Sequence, residues 1–161
     1  MLKNSRRAVL RVVITYVLLA FLWIFLTDQI VIRLTADTNV IKLGFLGATT
    51  GEVACYGRPA EKGMKMAIDE LNAQGGILGK KVEGIYEDNK GDNAEIANIA
   101  QKYVTRDKVV AMVGDPCTGL TKVAAKIAQT NKIVLFSGGA TGTGVVDLGD
   151  YIFRNTLVDK N

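Results

Sequence analysis

Histidine is absent from this 161-residue sequence, and with it go the commonest general base and the commonest metal ligand. Imidazole-based hydrolase triads are therefore excluded, and a zinc centre is not indicated. Only two cysteines occur, Cys55 and Cys117, in no C-x-x-C spacing, so neither a dithiol redox motif nor a thiolate metal site is indicated. Read alone they are two small free thiols; whether they pair with each other stays open. Proline is scarce at 2 residues and aromatics make up 7%, so neither a proline-rich chain nor an aromatic stacking surface is present. What remains is 48% hydrophobic and 22% charged with 17 glycines, the composition of a chain that folds.

The formal net charge of +4 sits mostly at one end. Residues 1–38 carry 5 of the 20 Lys and Arg but 2 of the 16 Asp and Glu, leaving 15 against 14 for the rest. With the remainder nearly neutral and no arginines interleaved with aromatics, the electrostatic footprint of a nucleic-acid binder is missing.

Lys3, Arg6, Arg7 and Arg11 precede the uncharged 16-residue run VVITYVLLAFLWIFLT, residues 12–27. A membrane span needs about 20 apolar residues, and a signal-peptide core about 7 to 15. Arg11 can snorkel and lend the apolar residues before it, Tyr16 and Trp23 suit the interface, and no A-x-A site follows. The expectation is a basic cytoplasmic tail at 1–11, a transmembrane anchor or uncleaved signal at 12–32, a linker at 33–39, and an extracytoplasmic globular part at 40–161. The basic residues ahead of the span set that orientation.

From Val40 onward, strand and helix patterns alternate. VIKLGFLG reads as a buried strand; Ala60, Met64, Ala67, Ile68 and Leu71 mark an amphipathic helix from Pro59 to Ala73, closed by Gly75 and Gly76. A second strand spans Val82 to Tyr86, and Asp92 with Glu95 forms a capping box before Ile96, Ile99, Ala100 and Tyr103. A third strand (Val109 to Val113), a third helix (Thr121 to Gln129), a fourth strand (Ile133 to Phe136) and a fifth beginning near Tyr151 follow. This pattern predicts an α/β fold, a parallel Rossmann-like sheet of four to five strands with helices on both faces. Ligands of such sheets bind outside the carboxyl ends of the strands, which selects the loops Gly47–Gly57, Asp88–Asp92, Gly114–Thr121 and Ser137–Gly144.

Two of these loops carry chemistry. SGGATGTG (137–144) brings backbone N–H groups close to an anion or simply turns the chain. GDPCTGLT (114–121) places Thr118 at a helix start, where its hydroxyl caps the helix or, with the helix dipole, receives a carboxylate. A nucleotide-binding Rossmann enzyme is the rival reading of the glycine loop, weakened because VVDLGDY, rather than a long helix, follows. Glu87, Asp88 and Asp92 lack calcium-ligand spacing and are expected to be solvated loop charge. No metal and no cofactor are expected.

Five strings occur in order: IKLGFLGATTGEVACYG (41–57), AIDELNAQGGILGKKVE (67–83), VVAMVGDPCTG (109–119), NKIVLFSGGAT (131–141) and DLGDYIFRN (147–155). Together they resemble the type I periplasmic binding proteins for leucine, isoleucine and valine and their relatives for other amino acids and amides. The resemblance implies two α/β lobes closing on a ligand without catalysis, of which this chain holds the first. It implies that Thr118 receives the ligand carboxylate, that Gly139, Ala140 and Thr141 contact the ligand through backbone and hydroxyl, and that Tyr56 lines the pocket. It also implies a small amino acid as ligand, captured for an ABC permease or read by an attached signalling region. Three departures stand out: Thr118 replaces a common serine, Gly138 replaces a common proline, and the 89–92 loop has no cysteine to bridge Cys117. The carboxylate that meets the ligand ammonium belongs to the missing lobe. A truncated fragment without a function of its own is the alternative.

Overall fold

A computed structural model describes residues 39–159. The expected cytoplasmic tail and anchor lie outside the described residues; among those described, no helix is long and apolar enough to cross a membrane.

Five strands, β1 (Val40–Gly47), β2 (Lys81–Asp88), β3 (Ala111–Gly114), β4 (Val134–Ser137) and β5 (Ile152–Arg154), form one sheet. Its order is β2-β1-β3-β4-β5, and every pairing is parallel. The order reverses between β1 and β3, and all five carboxyl ends lie along one rim. Helices α1 (Ala54–Ala73), α2 (Asn93–Lys102) and α3 (Thr118–Thr130) connect the strands. The α/β class and the parallel sheet expected from the alternation are thus found, with the fifth strand included.

The larger core lies under α2 and α3. Met112, Leu135 and Ile152 from β3, β4 and β5 pack there with Ile96, Ile99, Ala100, Ala124 and Ala128. Tyr103 is fully buried beneath the sheet, and its hydroxyl donates to the carbonyls of Phe45 (2.7 Å) and Ile85 (3.0 Å), as a buried hydroxyl must. A smaller core joins Phe45 and Val82 to Met64 and Ile68 of α1.

The sheet departs from the expectation of full cover. Phe136 and Phe153 point away from α2 and α3 and stay 39% and 48% exposed, while their neighbours Leu135 and Ile152 are buried. Among the described residues, α1 alone lies on that face. The link from β4 to β5 contains just a three-residue 3-10 turn, Val146–Leu148, so it supplies no helix to cover the outer strands there. Apolar residues on both sides of a strand mark a sheet meant to be buried on both.

Helix α1 begins five residues before the expected Pro59. Proline favours the first helical turn, yet the turn ahead of it forms with Ala54 buried and Gly57 packed on the Ala48 backbone just past β1. A Cβ at Gly57 would lie 1.9 Å from the Ala48 carbonyl oxygen, so only glycine permits this approach. The other end closes as expected: Gly75 and Gly76 adopt positive φ, and the Gly76 amide donates to the Leu71 carbonyl at 2.8 Å. Asn72 pairs with both backbone groups of Val82 (2.8 and 2.9 Å), fastening α1 to β2.

Candidate functional site

The loops after β2, β3 and β4 are joined by one buried group. Asp115 follows β3 and is 1% exposed. Its Oδ2 accepts from Asn89 Nδ2 and its Oδ1 from the Cys117 amide, both at 2.7 Å. Its carbonyl accepts from Thr121 Oγ1 (2.6 Å) and Ser137 Oγ (3.1 Å). Ser137 in turn accepts from the Ala140 amide at 3.1 Å. Buried polar groups in these loops are satisfied through this one residue, which fixes the loops relative to each other. Asp115 and Asn89 stand in loops that the sequence marks, but neither is expected there as a site residue.

The expected binding residues come together in part. Thr118 is the first residue of α3, and Cys117 rather than Thr118 is the cap, without a side-chain bond. The Thr118 hydroxyl instead accepts from the Gly142 amide at 2.9 Å, tying helix start to glycine loop. Gly142 is required there: a Cβ would sit 2.6 Å from Thr118 Cγ2. The Thr141 hydroxyl donates to Asp159 Oδ2 at 2.8 Å, and the Asp159 amide returns a bond to the Thr141 carbonyl at 2.9 Å. Thr141 therefore already holds a carboxylate. Ala140 is fully buried, with its amide on Ser137 and its carbonyl on Arg154, which leaves it no uncommitted backbone group.

Tyr56 stands in the first turn of α1 rather than on a loop, and is 62% exposed. With Gly139 it lines an apolar groove of about 570 Å³ that runs from the rim along α1, past Met64 and Phe136. Thr118 and Thr141 are not part of the groove lining. The rim thus has two parts, an apolar trough and a polar edge of hydroxyls and amides. The glycine loop leads into the short 3-10 turn rather than into a long helix of its own, the element that holds a pyrophosphate after such a loop.

Two acidic or thiol groups behave differently from their expectation or are limited by their surroundings. Asp88 is not free loop charge. Its Oδ1 accepts from the amides of Thr49 (2.8 Å), Lys90 (2.9 Å) and Thr50 (3.4 Å), and its Oδ2 from Thr50 Oγ1 (2.5 Å). Partial burial raises its pKa, but these bonds outweigh burial and hold it down at about 2. A carboxyl depressed in the folded state stabilises the fold above its unfolded pKa, about 3.9, and loses that contribution as pH falls through the folded value. Acid unfolding of wild type between about pH 4 and pH 2 is expected to steepen on this account, and Asp88→Asn to flatten it. Circular dichroism across that range reads both; identical acid limbs would contradict the brace. Asp92 caps α2, accepting from Ala94 and Glu95 amides at 2.8 and 2.9 Å, while Glu95 turns to Lys90 (3.6 Å) instead of closing the box. Glu87 pairs with Lys102.

Cys55 and Cys117 are both free thiols. Burial first, and then the neighbouring Asp115 carboxyl, push Cys117 up to about 11, so it stays a neutral thiol and no nucleophile at neutral pH.

Comparison with known proteins shows the family. A periplasmic binding protein family model matches residues 40–156. The leucine-specific-binding protein of Salmonella typhimurium is 33% identical over 127 residues, which cover 78% of this chain and 34% of that protein. The leucine-, isoleucine-, valine-, threonine- and alanine-binding protein of Pseudomonas aeruginosa is 33% identical over 128 residues, covering 79% and 34%. Among solved structures, the branched-chain amino acid transporter substrate-binding protein LivJ of Streptococcus pneumoniae in complex with isoleucine superimposes with a TM-score of 0.72 at 39% identity, covering 74% of this chain and 34% of that one. The chain spans about a third of the length of the relatives it matches. On the family match and these identities, the chain belongs to the periplasmic binding protein family.

Proposed function

We infer that this chain supplies one wall of an extracytoplasmic site for a small amino acid, a branched-chain amino acid or related amide, which it binds without chemical change. The observation that carries this reading is the tie between the Thr118 hydroxyl and the glycine loop that carries Thr141, at the carboxyl rim, beside an apolar groove lined by Tyr56 and Gly139. Hydroxyls and amides on one edge suit a carboxylate; the apolar trough beside them suits an aliphatic side chain. The names of the relatives above, binders of leucine, isoleucine and valine, support the ligand class. Thr141 already receives a carboxylate from Asp159, the group a free amino acid would present.

The basic, apolar N-terminal segment favours a tethered protein, which delivers its ligand to an ABC permease or reports it to an attached signalling region. A single lobe leaves the ligand half solvated, so the tight site needs a second wall. In titrations with L-leucine, Thr118→Ala and Thr141→Ala are each expected to weaken binding by about 1 to 3 kcal/mol, the worth of a charge-assisted hydrogen bond. Unchanged affinity in both variants would remove these hydroxyls from the site.

A further inference from the structure

Half of the eight-residue loop Ser137–Gly144 is glycine, so its own backbone prefers no single conformation. Something outside the loop must hold it. On β5, Arg154 reaches under it, and Nη1 donates to the carbonyls of Gly142 (2.7 Å), Ala140 (3.2 Å) and Thr141 (3.4 Å). Among the described residues no carboxylate forms an ion pair with Arg154. Within the described residues its part-buried charge is therefore met by carbonyl dipoles rather than by a carboxylate.

A planar trans peptide sends its C=O and N–H in opposite directions. Three successive carbonyls drawn to one guanidinium turn the following amides, of Thr141, Gly142 and Thr143, to the loop's other side. The Gly142 amide goes to the Thr118 hydroxyl, and the Thr141 amide has no partner among the described residues. Amides so aligned form an anion-binding concavity, here with a positive charge behind it that pairs with no carboxylate among the described residues.

We propose that Arg154 is a positioning residue for carboxylate recognition: it holds the glycine loop in the one arrangement that presents its amides to the ligand's carboxylate. This assignment rests on the amino-acid reading above. The test uses the full chain in mild detergent and compares wild type, Arg154→Gln and Arg154→Lys in titrations with L-leucine and with L-leucinamide, which lacks the carboxylate charge. Arg154→Gln is expected to weaken L-leucine binding about 10-fold to 100-fold, the worth of lost bonds to a charged group, and to collapse the preference over leucinamide. Because a single nitrogen makes all three contacts, Arg154→Lys is expected to recover most of the affinity, which a merely misfolded lobe would not do. If wild type does not bind L-leucine, the ligand reading fails and the assignment with it. If wild type binds but Arg154→Gln keeps both affinity and preference, or Arg154→Lys loses as much as Arg154→Gln, Arg154's role alone is overturned.

Discussion

Replacing Asp115 with alanine is expected to lower folding stability by about 2 to 5 kcal/mol, a large share of what a domain of this size has. The residue is 1% exposed, and its carboxyl is the acceptor for Asn89 Nδ2 and the Cys117 amide. Removing it leaves the buried Asn89 amide group and the part-buried Cys117 amide without a partner, and a buried unpaired group costs about 1 to 3 kcal/mol. Asp115→Asn keeps the volume but points an NH2 group at one of the two donors, so an intermediate loss is expected. The loops after β2, β3 and β4 share this residue, so L-leucine binding should fall in both variants. Urea unfolding followed by circular dichroism measures the stability. A loss below that of an ordinary surface substitution, about 0.5 kcal/mol, would show that the loops do not depend on Asp115.

A second large effect is expected at Gly57. A Cβ there would lie 1.9 Å from the oxygen, 2.6 Å from the carbon and 2.9 Å from the nitrogen of Ala48. All three are backbone atoms at the end of β1, and none can rotate away. Gly57→Ala must therefore lift the first turn of α1 from the sheet, taking Tyr56 with it, at a cost on the order of 3 to 5 kcal/mol, in the range of severe core disruptions. Gly63 in the same helix provides the control. Nothing lies within 4 Å of its would-be Cβ, and alanine is the better helix former by about 1 kcal/mol. Gly63→Ala should raise the unfolding midpoint while Gly57→Ala lowers it. Equal behaviour of the two variants would contradict the close packing of α1 on β1.

The contrast between these glycines marks what a sequence alone can convey. Local patterns were legible: the apolar run of β1, the Gly75–Gly76 stop of α1 and the Asp92 cap of α2 each follow from residues within a turn of one another. The start of α1 was not legible, because the residue that permits it, Gly57, acts through the distant Ala48 carbonyl, while Pro59 signals a helix start locally. The site divides the same way. Thr118 and Thr141 stand in recognisable loops, and resemblance to a family singles them out. Asp115, Asn89 and Arg154 act through partners on other loops and strands, and no periodicity or spacing encodes such contacts. The bare half of the sheet was hidden for a further reason. β3 and β4 are apolar on both sides, as covered strands are, and their residues say nothing of whether a covering helix is present.

The claim that this lobe receives an amino acid through its carboxylate is tested most directly by amide-resolved NMR of the full chain during titration with L-leucine. For this lobe by itself, affinity is expected to be weak, about 1 mM or weaker. Saturable shifts centred on the amides of Thr118, Thr141 and Gly142 are the predicted result. A spectrum in which these three amides stay fixed, with or without shifts elsewhere, would contradict it.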